Sequence, residues 1–496
     1  MKQIIPVSKL AKRCFASLFG LLALLCLFVP AAVGGVLLYP DDTRLRMDIE
    51  LLKDAGYFAG PISAWPLDLT QVFSGGVLKT NDPAVEAAYA RLQSQWFLRR
   101  SVELSFGYRS GDPWAPGFGN FFRSRGETEV HATLREGALS VVLRAGMTYR
   151  NGGPAIGHFD GTAVAYDLGT WTVYGGLPDR WYGPGWDGGL TLSQNARPVP
   201  GIGLSRRLPK PFSRTIFKYL GPWRFDAFLG RLSHHREISN PYFLNFHLAI
   251  EPFSGLEMGS SRGLMLCGEG RPCDLETWAR SLVGLFDADN TGTEQEPGNQ
   301  VASFEAQYTF PAIGVSWHPY TEIFIEDEVQ DVSTVFGLRV RRSAEGRVWW
   351  VRLEHVDTLA NRILGRPEPG VTYDHFIYRT GYRHRGDVIG HPLGGDARGV
   401  TVEVGLVNKR GNRGWLRYRQ VGYDPESMEA GSAARAHALE LGYDHRSPRN
   451  RVFVQGRLGN VSPRSPQLNL DEAAVELGLS VSIHKEARTT RENGSR

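Results

Sequence analysis

Two periods of apolar residues divide this chain of 496 residues. Between residues 40 and 95 the apolar positions recur every three or four residues. In "DDTRLRMDIELLKDAG", Leu45, Ile49 and Leu52 share one helical face, with Asp42 placed to cap the start and Gly56 to end it. In "NDPAVEAAYARLQ", Asp82 caps, Pro83 takes the first helical position, and Val85, Ala88 and Leu92 repeat helically. "AWPLDLTQVFSGG" between them has room for a third short helix. From residue 101 the period becomes two. "SVELSFGY" aligns Val102, Leu104, Phe106 and Tyr108, and "ALSVVLRAGMTY" aligns Leu139, Val141, Leu143, Ala145, Met147 and Tyr149. "VASFEAQYTF" alternates in the same way from Ala302 to Phe310. "VWWVRLEH" sets Trp349, Val351 and Leu353 against Trp350, Arg352 and Glu354. "AVELGLSVSI" sets Val475, Leu477, Leu479, Val481 and Ile483 against Glu476, Gly478, Ser480 and Ser482. One face of each strand is apolar and the other small, polar or charged.

A soluble β-sandwich would alternate too. Segments of about ten residues that continue over about 385 residues without a helical interlude favour a transmembrane β-barrel, lipid outside and water within. Tyr108, Tyr149, Phe310 and Tyr443 stand where aromatic girdle residues would. At roughly 20–24 residues per strand and loop, the alternating region makes about 16–19 strands, and nothing after the N-terminus reads as a transmembrane helix. The last apolar strand is followed by the polar "HKEARTTRENGSR", so it either closes the barrel before a loose tail or leaves the assembly signal internal. The expected layout is residues 1–34 as signal peptide, 35–100 as a helical bundle, 101–485 as the barrel and 486–496 as a polar tail.

The signal peptide rests on Lys2, Lys9, Lys12 and Arg13 ahead of the apolar run Phe15 to Val29, then small residues from Ala31 to Gly35. An uncleaved anchor is the alternative, because Val36-Leu37-Leu38 prolongs the run. Leu25 before Cys26 is too large for a lipobox. Residues 1–34 hold four basic and no acidic residues, so their removal takes the formal charge from +4 to 0. The charge therefore carries no argument for nucleic acid. Composition agrees with a turn-rich β protein, with 58 glycines and 11% aromatics, and 42% hydrophobic residues exclude a disordered chain. Outside the signal only Cys267 and Cys273 remain, in "CGEGRPC". In an exported chain a disulfide is the better reading than half of a zinc site.

Residues 181–206, "WYGPGWDGGLTLSQNARPVPGIGLSR", fit neither strand nor helix. Pyranose faces stack on aromatic rings and their hydroxyls take planar hydrogen-bonding groups. Trp181, Tyr182 and Trp186 are candidate platforms, Asp187 and Asn195 (with Gln194) candidate hydroxyl partners, and Arg180 and Arg197 candidate clamps for a sugar acid. The competing reading is an inward-folded loop that fills the lumen, and the two are compatible. Trp171 and Val173 should then face out on the preceding strand, and Leu190 and Leu192 should mark the next. "IEDE" (325–328) reads as lumen charges that pair with arginines such as Arg352 or Arg383, rather than as an acid–base pair or a calcium site, because neighbouring strand residues face opposite ways. "YDHFIYRTGYRHRGD" (373–387) offers no nucleophile with its base and oxyanion donors.

The 181–206 segment closely resembles the signature of the Wzi family of capsule-assembly proteins. "SRGLMLCGEGRPCDLETW" (261–278), "EPGNQVASFEAQY" (296–308), "IFIEDE" (323–328), "LEHVDT" (353–358) and "YDHFIYRTGYRHRGDVIGHPLGGDA" (373–397) follow in the same order. The resemblance implies an eighteen-stranded outer-membrane barrel with a periplasmic N-terminal helical bundle, a lectin without catalysis. Expected partners are capsular or extracellular polysaccharide, outer-membrane lipid and the polysaccharide export machinery, acting with a monomer. No cofactor, metal or nucleic acid is expected. The alternative functions are a porin for polar solutes or polysaccharide export, and a surface hydrolase.

Overall fold

The computed structural model describes residues 36–486 apart from 74–75, 77, 112, 120–121, 150–153, 215, 234, 284–297, 327–330, 363–366, 426, 428–429, 431–432, 448 and 463–472. The expected signal peptide, the tail beyond 486 and the second half of "IEDE" lie outside the described residues.

The N-terminal helices form where the caps place them. The Asp42 carboxylate accepts from Arg44 N at 2.9 Å and begins α1 (Thr43–Asp54), and Gly56 follows its end at φ +70°. A second helix, α2, is the short Leu69–Phe73. Asp82 accepts from Ala84 N at 2.8 Å to begin α3 (Pro83–Phe97). Leu45, Ile49 and Leu52 are buried as their spacing predicts, but so are the charged residues Arg46, Asp48 and Glu50 around the rest of α1. A helix buried all round has no solvent face, and the barrel supplies the reason.

Eighteen antiparallel strands form the wall. They are β1 (Leu98–Arg109), β2 (Gly126–Glu136), β3 (Leu139–Tyr149), β4 (Ala163–Leu168), β5 (Trp171–Gly176), β6 (Gly201–Arg206), β7 (Trp223–Arg231), β8 (Tyr242–Phe253) and β9 (Leu256–Leu266). After a short helix, α4 (Leu275–Val283), follow β10 (Gly298–Tyr308), β11 (Val315–Glu326), β12 (Asp331–Ala344), β13 (Arg347–Arg362), β14 (Ala397–Val407), β15 (Arg413–Tyr423), β16 (Ala434–Arg446), β17 (Asn450–Ser462) and β18 (Ala473–Glu486). β18 pairs back onto β1, with Leu479 opposite Phe106, so the last strand does close the barrel. The wall starts at Leu98 rather than 101: Arg99 and Arg100 break the apolar alternation, yet Arg100 still pairs with Lys485 and Leu98 with Glu486, Arg99 lying at the irregularity between them.

The faces fall as the period of two requires. Val102, Leu104, Phe106 and Tyr108 are exposed on the outside while Ser105 and Arg109 are buried within. Trp349, Val351 and Leu353 point out; Trp350, Arg352 and Glu354 point in. An apolar belt that faces outward, around a polar interior, is the pattern lipid selects. One end carries tight turns such as Ala344 to Arg347, where Glu345 (φ +52°) and Gly346 (φ +74°) take the two left-handed positions of a hairpin turn. The other end carries the long connections. β4, β5 and β6 have six residues each, because the chain leaves the wall early between β5 and β6.

Candidate functional site

Among the described residues the lumen holds the N-terminal region through α1, part of the connection between β1 and β2 around Ala115 and Phe118, the 177–200 insert between β5 and β6, and the 367–396 insert between β13 and β14. Irregular backbone cannot be buried unless its polar groups find partners. Here the inward side chains of the wall supply them. Glu354 accepts from the backbone of Trp186 and Asp187, both at 2.9 Å, and Glu322 accepts from Leu190 N at 3.1 Å. Glu257 takes Ile62 N at 3.0 Å and Ser63 N at 2.8 Å, and Glu326 takes Tyr373 N at 2.5 Å. Arginines do the same for carbonyls. Arg224 donates to Ala64 O at 3.0 Å and Pro66 O at 3.1 Å, and Arg419 donates to Ala115 O at 2.8 Å.

The aromatic residues of the 177–200 insert meet the N-terminal region. Trp181 and Tyr182 pair antiparallel with Trp65 and Ala64. Phe118 packs edge-on against Trp65 and Trp181, with centroids 5.1 and 5.2 Å away. From α1, Arg46 lies over Trp186 at 4.1 Å and donates to Pro184 O at 2.6 Å and Gly185 O at 2.8 Å. Such a guanidinium holds ring and backbone together. The hydroxyls of Tyr174 and Tyr182 both donate to Asp226.

The seven candidate residues separate into two groups. Arg180, Trp181, Tyr182, Trp186 and Asp187 are buried, and Asn195 and Arg197 are half-buried toward the long-loop end. Arg180 lies over the Phe228 ring at 3.1 Å. Asp187 Oδ1 receives Arg352 and Arg419, each at 3.0 Å. Burial alone would push this carboxyl up, but Arg352 and Arg419 outweigh it and hold it well below the ordinary carboxylate range. Asn195 Nδ2 donates to Val388 O at 2.9 Å, and Arg197 forms an ion pair with Asp160.

One expectation needs correction. Val173 does face out, but Leu190 and Leu192 do not mark the next strand: they are buried in the lumen, and the wall resumes at Gly201, with Ile202 and Leu204 exposed. The alternation in "LTLS" is real, but the lumen, not lipid, covers its apolar side. "YDHFIYRTGYRHRGD" divides between lumen and surface: Tyr373, Tyr378 and Tyr382 are buried, while Phe376, Arg379 and residues 385–387 are exposed. Tyr373 and Tyr382 stack at 6.1 Å, and Tyr373 Oη donates to Leu190 O at 2.7 Å. Ser193 Oγ donates to Gly390 O at 2.5 Å, so the two inserts lock together. Arg352 pairs with Asp187 and with Glu403 (3.2 Å), while Glu326 bonds the inserted backbone. The disulfide is formed between Cys267 and Cys273, just beyond β9, and Tyr378 of the 367–396 insert donates to Cys267 O at 2.9 Å.

Sequence reading missed the wall partners Glu257, Glu322, Glu354 and Arg419. Their signal is a charged residue at an inward position between apolar outward ones. It marks a polar lumen but cannot name the segment that fills it. Beside the inserts remains a cavity of about 80 Å³ lined by Arg109, Arg413, Arg417, Arg419, Glu440 and Glu476 among others, room for a few waters.

A closed barrel with an apolar belt and a lumen filled by its own chain is a filled β-barrel of the bacterial outer membrane. The chain belongs to the family described as capsule assembly protein Wzi, which matches residues 106–473. It is 27% identical over 305 residues to an uncharacterized 55.8 kDa protein in the cps region of Klebsiella pneumoniae, a match that covers 58% of this chain and spans only 58% of that relative. Among solved structures it is similar to Wzi of Escherichia coli, an outer membrane protein involved in group 1 capsule assembly and called a carbohydrate-binding β-barrel. Identity there is 21%, coverage is 90% of this chain and 99% of the other, and the TM-score is 0.77.

Proposed function

We propose that this protein holds capsular or extracellular polysaccharide at the cell surface without chemical turnover, its long loops outward and its N-terminal helices at the periplasmic end. Family membership supplies the polymer class. The observation that carries a binding role rather than passage is the use of wall glutamates and arginines to seat inserted backbone, which spends the lumen's polar groups on the protein itself. Short turns in outer-membrane barrels face the periplasm, which sets the orientation. Within the 180–197 segment, Asn195 and Arg197 at the outer edge contact the glycan, and Arg180, Trp181, Tyr182, Trp186 and Asp187 fix the shape behind them. The export machinery delivers the polymer to a monomeric barrel.

The test is binding of purified capsular polysaccharide to the detergent-solubilised chain, with planar-bilayer conductance measured on the same sample. Polymer binding with almost no current is expected, and Arg197→Ala should bind more weakly while it assembles normally. A porin-like current with no polymer binding would overturn the reading.

A further inference from the structure

Outside the 177–200 insert, the wall near the long-loop end gathers Glu127, Glu129 and His158. Glu127 and Glu129 are two residues apart on β2 and so both point inward. His158 ends a short strand, Ile156–His158, that pairs with the upper part of β3. The register sets Glu129 opposite Gly146, and Gly146 opposite His158, so the three lie in a row across three strands. The middle position must be glycine for the ring to reach the carboxylates: a Cβ at Gly146 would stand 2.5 Å from His158 Nε2 and 2.8 Å from Glu129 Cγ.

The ring is almost fully buried, with 4% of its side-chain surface exposed, yet neither nitrogen makes a hydrogen bond among the described residues. Nε2 lies 3.1 Å from Glu127 Oε1 without the alignment of a hydrogen bond, and Nδ1 lies 3.9 Å from Glu129 Oε1. A buried, unbonded imidazole is costly. Groups that converge on a common point do not aim at each other, and two ligands at Zn²⁺ bonding distance in a tetrahedral site are about 3.4 Å apart. One ligand atom from each of the three residues can be chosen so that all lie within 4.8 Å of one another. The surrounding charge also leaves a place for a cation. Arg123 pairs with Asp179 at 2.5 Å, Arg144 with Asp41, and Arg197 with Asp160, so each of these arginines already has an aspartate, although Arg144 also lies within electrostatic reach of Glu129 and Arg123 of Glu127.

We propose that Glu127, Glu129 and His158 form a binding site for a divalent transition metal, Zn²⁺ by ligand type, with water completing the coordination. One imidazole and two carboxylates suit zinc better than the all-oxygen sets that calcium and magnesium take. The metal would tie the strand that carries His158 to β2. It would also act beside the insert, because Glu127 accepts Arg123 N at 3.0 Å and the Arg123 side chain donates to Gln194 O at 2.7 Å and Ala196 O at 2.9 Å. The site is independent of the polysaccharide reading.

The test uses the full mature chain without a histidine tag, purified in detergent, stripped with chelator and re-equilibrated with zinc before elemental analysis. One zinc per chain is expected, with affinity reduced about tenfold or more in Glu129→Gln and His158→Gln. Titration of the unaltered chain with Co²⁺ should give the intense visible absorption of a four- or five-coordinate site, a readout that needs no variant to assemble. A chain without stoichiometric zinc and with only the weak spectrum of hydrated cobalt would overturn the proposal and leave the three side chains as packing of the inner wall. Zinc content unchanged in both variants, each still migrating as a folded barrel, would overturn it too.

Discussion

At the scale of the residue, Asp187 shows how the lumen is held. Its carboxylate separates two buried guanidiniums, Arg352 and Arg419. Without it Arg352 keeps Glu403 and Arg419 keeps Glu440, so the loss stays below the roughly 3–5 kcal/mol of a buried charge left wholly unpaired. Asp187→Ala should therefore loosen the 177–200 insert and lower the temperature at which the folded form on gels converts to the unfolded one; an unchanged transition would show that water reaches the arginines. Acid acts on the same contact. The folded Asp187 carboxyl titrates well below its unfolded value, so its contribution is complete above about pH 4 and is lost as the pH falls further. His391, in the neighbouring insert, has its pKa lowered by burial from 6.5 to about 4. The unfolded chain thus binds a proton that the folded one refuses, and the stabilisation present above about 6.5 is lost on the way down to about 4. Thermal transitions measured between pH 7 and pH 5 should fall in the parent and fall less in His391→Asn.

At the scale of the element, what was legible in the sequence was whatever a local period encodes. β1, β3, β10, β13 and β18 announce themselves because lipid demands an apolar residue at every outward position, and Asp42 and Asp82 announce helices because caps are local chemistry. The cysteine pair was legible by elimination. The inserts were legible only as anomalies: the density of rings around Trp181 and Trp186 pointed inward, but Leu190 and Leu192 imitate a strand, and no local rule pairs Trp181 with Trp65 across the lumen. The disulfide belongs to this scale as well. It closes a loop so short that its entropic contribution is about 2 kcal/mol at most. Cys267→Ser with Cys273→Ser should leave the barrel transition nearly unchanged while protease cuts the connection after β9 faster. A collapse of the whole barrel would mean that the contact from Tyr378 to Cys267 depends on the bridge.

For the whole molecule, the wall and its inserts form one hydrogen-bonded body, and that sets what the barrel can transmit. Lys53 of α1 reaches Glu257 at 3.0 Å, Arg341 donates to Glu50 O at 3.1 Å, and Arg446 grips Asp42 at 2.5 Å, so the N-terminal region is tied to strands far apart around the circumference. Burial raises the desolvation cost of all these charges, and the barrel tolerates them because each meets a partner. Eighteen strands alone would enclose a channel wide enough for solutes. The inserts, rather than the wall, must therefore decide conductance. A chain lacking residues 36–97 but keeping residues 1–35 should assemble, if the wall folds independently, and pass current well above the near-zero level expected of the parent. Should that chain fail to assemble, Glu322→Ala with Glu354→Ala supplies the second measurement, because it removes the acceptors for Leu190, Trp186 and Asp187 without shortening the chain. Current in either variant places the barrier in the N-terminal region or the 177–200 insert. A folded barrel that stays silent in both would overturn the assignment of the barrier to the N-terminal region and the 177–200 insert.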